Sequence, residues 1–139
     1  MTTITKVKTG SKFEEIGSYS RIVAVDNWIY VSNTAGRNPD TKEIPEDVVE
    51  QTEQVFKNIE SALATVDSSL ADVVMSRVFI QDPADTHTVM EYIGSKFRNI
   101  DPATTVTCPP LGSNTYKVEL EVTAYRGAAK ANVEKITIG

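Results

Sequence analysis

Cysteine and histidine are almost missing from this sequence of 139 residues, in which Cys108 and His87 are the single residue of each type. A lone cysteine excludes a disulfide within the chain, and one cysteine with one histidine cannot supply a Cys/His zinc site. Cys108 has no histidine nearby in the sequence to activate its thiol. We therefore expect no metal site, and we interpret Cys108 as a buried structural thiol.

Long apolar stretches and an excess of basic residues are also lacking. No segment approaches the 18 apolar residues of a membrane-spanning helix, and the N-terminus lacks the apolar core of a signal peptide. The chain carries 19 acidic and 14 basic residues, a formal net charge of −5, whereas nucleic-acid binding depends on Lys and Arg side chains that neutralise phosphates. We expect a cytoplasmic protein that binds neither membranes nor nucleic acids.

The composition that is present is that of a globular domain, with 40% hydrophobic and 24% charged residues. The length favours one domain, which we place at residues 1–127, followed by a tail at 128–139. Hydrophobic periodicity predicts the order β-β-β-α-β-α-β-β, an α+β fold with a mixed sheet and two helices on one face. The predicted elements are a strand and loop at 7–16, strands at 20–25, 28–32, 73–80, 104–108 and 117–125, a helix at 47–66, and a helix that Asp82 caps ahead of Pro83.

Several predicted strands are apolar on both faces, notably Ile22–Val25, Trp28–Val31 and Val73–Met75. Strands of this kind are usually buried on both sides, but two helices can cover only one face of such a sheet. A large exposed apolar face usually marks an interface. We therefore expect copies of the same chain to bury the helix-free face, with a small-molecule site between subunits.

The last strand alternates, so that Glu119 and Glu121 point away from the helices and towards the expected interface. A carboxylate in a partly dry site can have a raised pKa and act as an acid or a base. The alternative is structural, because charged residues are seldom buried unless they are paired. Spacing alone leaves both interpretations open for the two glutamates.

Two short segments carry further polar groups. Tyr19 follows a glycine loop, where its hydroxyl can face a ligand, although packing is the simpler interpretation. Ser32, Asn33 and Thr34 end a strand and offer hydroxyls and turning N–H groups, which can cradle an oxyanion or a carboxylate. The alternative for this segment is an ordinary strand-to-loop turn.

Several short motifs, taken in order, resemble the Rid/YjgF family, which also carries the older names endoribonuclease L-PSP and translation initiation inhibitor. The motifs lie at Ile16–Ser20, Ile29–Ser32, Asn38–Pro45, Glu50–Thr52, Leu70–Val74, Val78–Asp82, Pro102–Ala103 and Val118–Glu121, within residues 13–126. The resemblance implies a chorismate-mutase-like fold, a homotrimer and three clefts between neighbouring subunits. It also implies hydrolysis of reactive enamines and imines, such as 2-aminoacrylate, to a keto acid and ammonia without a metal or organic cofactor.

The resemblance assigns roles to individual residues. Tyr19 matches the family's pocket tyrosine, Ser32 its pocket serine, and Glu119 the glutamate that positions the attacking water. The positions that depart from the family are Asn33-Thr34 for Gly-Gln, Met90 for asparagine, Thr104 for the arginine that clamps the substrate carboxylate, and Val106 for cysteine. The implied site therefore comprises the catalytic Glu119 and the ligand-binding residues Tyr19, Ser32, Asn33, Thr34, Met90, Thr104, Thr105, Val106 and Glu121.

The missing arginine weakens the inference that 2-aminoacrylate is the substrate. Losing an arginine–carboxylate pair in a partly buried site costs about 2–5 kcal/mol of binding, and the hydroxyl of Thr104 carries no charge. Arg37, Arg77 and Arg126 are candidates to replace it from elsewhere in the chain. Three hypotheses follow: an imine or enamine hydrolase for a substrate without the usual carboxylate, a non-catalytic metabolite-binding or regulatory trimer, and, against the acidic charge, an endoribonuclease.

Overall fold

A six-stranded mixed sheet lies at the centre of the structure, a computed structural model that describes residues 1–139. The strands are β1 (Ile4–Val7), β2 (Ile22–Val25), β3 (Trp28–Ala35), β4 (Val73–Ile80), β5 (Ala103–Thr107) and β6 (Val118–Tyr125). The helices are α1 (Lys12–Gly17), α2 (Val48–Ala64) and α3 (Thr86–Lys96). The strand order is β1-β2-β3-β6-β4-β5, in which the β4–β5 pair alone is parallel. The predicted α+β class and mixed sheet are therefore confirmed.

A side-chain cap defines the start of α2, whereas α3 has none. The Asp47 carboxylate accepts a hydrogen bond from the Glu50 N–H (2.9 Å) at the beginning of α2. The predicted cap at Asp82 does accept a backbone hydrogen bond, but it caps the 3₁₀ turn Pro83–Asp85, and α3 begins one turn later. None of the helices has the length and hydrophobicity needed to span a bilayer.

The N-terminal segment differs from the prediction of a strand and loop at 7–16. The strand β1 lies earlier, where it pairs antiparallel with β2, and the following residues form the short helix α1. The Ser11 hydroxyl starts α1 by accepting a backbone hydrogen bond (3.1 Å), and Ser18 ends it in the left-handed conformation, with φ 55°. The order therefore gains one helix, because a capping side chain and strand pairing override a weak local periodicity.

The sheet separates a buried face from an exposed one. The face under α2 and α3 contributes to a core of 21 buried hydrophobic residues, in which every second residue of β6 takes part, as its alternation predicts. The opposite face, here called the helix-free face, leaves aromatic side chains in solvent: Trp28 is 45% exposed, Tyr30 50% and Tyr125 39%. An apolar surface of this kind is typical of a protein interface.

The residues after β6 are tied to the domain near the 3₁₀ turn Ala128–Lys130. The buried Asp72 carboxylate accepts a hydrogen bond from the Ala129 N–H (2.9 Å). Beyond that turn, residues 131–139 form no helix or strand, and their apolar side chains are exposed at Val133, Ile136 and Ile138. The domain limit at residue 127 stays a prediction.

Gln51 is a fully buried polar side chain on α2 that joins separate segments of the chain. Its amide nitrogen donates to the carbonyl oxygens of Pro45 (2.9 Å) and Thr115 (3.0 Å). Its amide oxygen accepts from the N–H groups of Lys117 (2.7 Å) and Val118 (3.3 Å). These bonds use both donors and both lone pairs of the amide. The loop before α2 and the segment that leads into β6 are thereby held at one point.

We expect Gln51→Leu to lower the free energy of unfolding by at least about 3 kcal/mol, because a similar-sized apolar side chain leaves buried backbone groups without partners. Gln54→Leu is the matched control, since Gln54 lies on the same helix and makes one side-chain hydrogen bond, to Asn58 (2.9 Å). Urea denaturation of both variants measures the difference. Equal stability of the two variants would contradict the anchoring role of Gln51.

Candidate functional site

A groove lies at the open end of the β2–β3 hairpin, where β2 begins and β3 ends. It is bounded by α1, α2 and the loop that follows β3. Its volume is about 630 Å³, which suits a small metabolite. Four residues that the sequence analysis assigned to the site line this groove, namely Tyr19, Asn33, Thr34 and Glu119. The structure therefore brings together part of the predicted site within a single chain.

Glu119 lies on β6 between Ala35 of β3 and Phe79 of β4. Its Oε1 accepts a hydrogen bond from the Asn33 side-chain amide (2.6 Å), and no basic side chain lies within 4.0 Å of its carboxylate. Burial raises the pKa of the Glu119 carboxyl above its ordinary value. A half-buried carboxyl without a charged partner can exchange a proton with water or a ligand in the groove.

Glu121 has a different environment, although it is two residues away on the same strand. Its Oε1 accepts a hydrogen bond from Nη1 of Arg77 (3.1 Å), and both side chains of this pair are partly exposed. The ion-paired alternative thus describes Glu121, whereas the proton-transfer interpretation fits Glu119. Because Arg77 is paired with Glu121, we no longer consider it a replacement for the family arginine that is absent at Thr104.

The end of α1 directs Tyr19 into the groove. The helix stops at Gly17, Ser18 adopts the left-handed conformation, and the Tyr19 N–H donates to the Glu14 carbonyl (3.1 Å). The Tyr19 ring lies against Gly17, where a Cβ atom would stand 3.0 Å from the ring carbon Cδ1. Glycine at this position therefore makes room for the aromatic ring.

The segment Ser32–Thr34 lies at a register shift in the pairing of β3 with β6. The Ser32 hydroxyl donates to the Ser20 carbonyl (2.7 Å), and the buried Thr34 hydroxyl donates to the Ser32 carbonyl (2.8 Å). Both hydroxyls therefore stabilise the irregular end of β3 through hydrogen bonds to backbone carbonyls. Of the three side chains, the Asn33 amide is the one that meets Glu119.

The remaining predicted site residues lie away from the groove, with Met90 packed against the core on α3 and Thr104, Thr105 and Val106 on the edge strand β5. Thr104 is in register with the buried Ser76, and their hydroxyl oxygens are 2.9 Å apart. Thr104 therefore points to the helix side of the sheet, whereas Glu119 points to the other side. One chain does not bring these two residues together.

Neither Cys108 nor an acidic cluster offers a metal site. Cys108 follows the edge strand β5 and is exposed, so its interpretation as a buried thiol is wrong. Its Sγ atom lies 3.6 Å from the hydroxyl oxygen of Thr86. No group of three or more His, Cys, Asp or Glu side chains is placed to hold a metal ion.

Arg21 is a groove residue that the sequence analysis did not single out. Its Nη1 donates to the Asn33 carbonyl and to the Thr34 hydroxyl, both at 3.2 Å. Its guanidinium carbon lies 5.9 Å from the centre of the Tyr19 ring. The sequence held one indication of this role. Arg21 lies two residues after Tyr19, and side chains two residues apart in an extended segment point to the same face.

The three arginines considered as replacements for the missing one have separate environments. Arg37 lines the groove, and its Nε donates to the Lys42 carbonyl (3.4 Å). Arg126 is occupied elsewhere, because its Nε donates to the Val66 carbonyl (2.9 Å). Of these three, Arg37 alone lines the groove.

Comparison with known proteins agrees with the resemblance. Residues 9–126 match the protein family described as endoribonuclease L-PSP. The chain is 34% identical over 116 residues to the 2-iminobutanoate/2-iminopropanoate deaminase of Mus musculus, which covers 81% of this chain and 84% of that protein. The Rattus norvegicus protein of the same name is 34% identical over 125 residues, covering 87% and 89%.

Solved structures show the same fold. Rv2704 from Mycobacterium tuberculosis, described as a member of the YjgF/YER057c/UK114 family, superposes with a TM-score of 0.80 at 31% identity, covering 88% of this chain and 99% of that one. The YjgF gene product of E. coli gives a TM-score of 0.78 at 27% identity, covering 88% and 98%. By family match, sequence identity and fold, this chain belongs to the Rid/YjgF family.

Proposed function

We propose that the protein hydrolyses a reactive enamine or imine to a carbonyl compound and ammonia, with Glu119 positioning and deprotonating the attacking water. The observation that carries the proposal is the half-buried Glu119 carboxyl, which has a raised pKa and no charged partner at the wall of a groove. The names of the mouse and rat relatives, which specify deamination of 2-iminobutanoate and 2-iminopropanoate, support the reaction class.

The proposed chemistry needs one proton-transfer group. An enamine first tautomerises to its imine, and water then adds to the carbon of the C=N bond while the Glu119 carboxylate accepts a proton from that water. The resulting carboxyl returns the proton to nitrogen. Glu119 then accepts the hydroxyl proton of this carbinolamine and passes it to the amine nitrogen, so that the C–N bond breaks, ammonia leaves and the C=O bond forms. A raised pKa suits both steps, because the same group must act first as a base and then as an acid.

The site is completed in this proposal by a neighbouring chain of a homotrimer. Thr104 and Val106 lie on the edge strand β5, two strands from the strand of Glu119 and on the opposite face of the sheet. That separation is roughly 10 Å at the usual strand spacing, with β4 between them. A cleft between subunits places β5 of one chain beside the groove of the next, and the helix-free face offers the apolar surface for assembly.

The loss of the family arginine at Thr104 bears on the substrate. We propose a substrate other than 2-aminoacrylate, because Thr104 supplies no charge for a carboxylate at that place. The same observation favours a second candidate function, a non-catalytic trimer that binds a metabolite or regulates a partner. The second candidate differs in its outcome, since it predicts ligand binding without turnover of any imine.

The role of Glu119 is tested by Glu119→Gln, which keeps the side-chain size and removes the proton acceptor. We expect kcat/KM for imine hydrolysis to fall by about 100-fold or more. Ammonia release is measured on freshly generated imines, from 2-iminopropionate and 2-iminobutanoate to imines without a carboxylate.

Glu91→Gln is the control for this substitution, because Glu91 is an exposed glutamate on α3, and its activity should stay within about twofold of wild type. Equal activity of Glu119→Gln and wild type would refute the catalytic role. A wild type that binds ligand but hydrolyses no imine would favour the second candidate.

The raised pKa of Glu119 predicts the pH dependence of the reaction. The ionised carboxylate is the active form, so kcat/KM should rise with pH through a limb whose midpoint lies above the ordinary value of 4.5. The free energy of unfolding should change in the opposite direction. The folded state holds this proton more tightly, so stability falls as pH rises from the unfolded pKa through the folded pKa.

Both pH effects should be weaker or absent in Glu119→Gln, which does not titrate at this position. The pH–rate profile and urea denaturation at several pH values measure them. A wild-type limb centred at or below 4.5 would contradict the assignment of the limb to a buried Glu119.

The assembly is tested at the helix-free face by Tyr30→Glu. We expect the trimer to dissociate, because the substitution places an unpaired charge in a surface that assembly buries. Sedimentation velocity measures the mass, and imine hydrolysis should fall with it. Val133→Glu is the control, since Val133 is an apolar tail residue that is 72% exposed. A monomeric wild type, or a trimeric Tyr30→Glu, would refute the proposed assembly.

A further inference from the structure

We propose that Arg21 binds the carboxylate of an anionic substrate in the groove, in place of the arginine that this chain lacks at Thr104. The inference rests on the proposed function and narrows its substrate class to imines that carry an acid group. It moves the binding of the acid from the edge strand β5 to the chain that also supplies Glu119.

The guanidinium of Arg21 is held in place without an ion pair, although it interacts electrostatically with the Glu14 carboxylate of the same groove from beyond 4.0 Å. Its Nη1 is fixed by hydrogen bonds to the Asn33 carbonyl and the Thr34 hydroxyl, and no carboxylate lies within 4.0 Å of it. Its Nε is buried without a hydrogen bond. A buried donor without a partner is uncommon and requires an explanation, such as a missing ligand. The Nε–Nη2 edge of a guanidinium can hold a carboxylate as a bidentate pair, once a rotation of the side chain turns the buried Nε towards the groove.

The charges around the groove favour an anion. Four basic residues line it, Lys8, Arg21, Arg37 and Lys42, against two acidic residues, Glu14 and Glu119. This balance is the reverse of that in the whole chain, which has 19 acidic and 14 basic residues. A concave site in which charges of one sign are in excess concentrates ligands of the other sign.

Most of the charged groups in this set are already engaged by the protein. The Glu14 carboxylate accepts hydrogen bonds from the backbone and the hydroxyl of Thr9. Arg37 and Lys42 donate to carbonyl oxygens of the loop after β3. Lys8 makes no side-chain hydrogen bond, and Arg21 is the cation that is joined to Glu119 through Asn33.

Asn33 connects the proposed acid-binding group to the proposed catalytic group. Its backbone carbonyl accepts from Arg21 (3.2 Å), and its side-chain amide donates to Glu119 (2.6 Å). A 2-imino acid carries its carboxylate on the carbon of the C=N bond. An acid group bound at Arg21 therefore places the reacting carbon near the water that Glu119 holds. The Tyr19 ring beside the guanidinium steadies it by a cation–π contact.

Binding of 2-oxobutanoate tests the inference without turnover. This keto acid is the carbonyl product of 2-iminobutanoate hydrolysis, and its methyl ester is the matched probe without the charge. By calorimetry on the full chain, we expect wild type to bind the acid more tightly than the ester. Arg21→Gln should weaken binding of the acid at least about tenfold and leave binding of the ester within about twofold.

Two further variants sharpen the measurement. Arg21→Lys should fall between wild type and Arg21→Gln, because a lysine keeps the charge but lacks the planar fork. Arg98→Gln is the control, since Arg98 is an exposed arginine outside the groove, and it should bind both probes as wild type does. Binding of the acid to wild type should also weaken with added salt, while binding of the ester should not. The salt series tests the charge even if Arg21→Gln does not fold.

The inference is overturned if wild type binds the acid no better than the ester, or if Arg21→Gln behaves like Arg98→Gln. It is also overturned if Arg21→Gln weakens both probes equally, which is the result of a purely structural role. Acid-selective binding through Arg21 without hydrolysis of any imine would reject the proposed function alone. Glu119-dependent hydrolysis with an unchanged KM in Arg21→Gln would reject this inference alone.

Discussion

The four hydrogen bonds of the buried Gln51 amide hold the part of the structure on which the groove depends. They fix the start of β6 at the N–H of Val118, directly before Glu119. The end of β3 is held equally close, because a Cβ atom at Gly36 would stand 2.3 Å from the Gln51 backbone oxygen. A fully satisfied buried polar group is rigid. The Glu119 carboxyl therefore projects from a strand whose position is set by a polar contact as well as by core packing.

The sequence was sufficient for those elements whose hydrophobic pattern is long. The helix α2 and the strands β4 and β6 lie where the periodicity predicts them, because each repeats its pattern over at least eight residues. The six-residue helix α1 was missed, since it is too short for a helical period to be visible. Its limits depend on the Ser11 cap and on the left-handed Ser18, and β1 depends on its pairing with β2. These determinants are single side chains and tertiary contacts.

The site residues could likewise be predicted only where local sequence patterns decide their role. Tyr19 and Glu119 could be singled out from motifs and strand alternation, but Glu119 and Glu121 are equivalent in any local pattern. They differ because Arg77 reaches one carboxylate from β4, while Asn33 reaches the other from β3. Arg21 is likewise positioned by hydrogen bonds to Asn33 and Thr34, which lie 12 and 13 positions further along the chain. Such pairings are set by strand order and register, which the sequence pattern does not specify.

The position of the acid-binding arginine also determines which of the two neighbouring chains supplies each group in the proposed cleft. An arginine on β5 would bring its charge into the cleft from the neighbouring subunit, at a desolvation cost that only a bound anion offsets. Thr104 avoids that cost, because its hydroxyl already bonds to Ser76 and to the Pro102 carbonyl. If Arg21 binds the acid, one chain supplies both the charge and the proton-transfer group on a common frame through Asn33. The neighbour then serves to close the cleft and exclude water, so that assembly controls the environment of the reaction more than the recognition of the carboxylate.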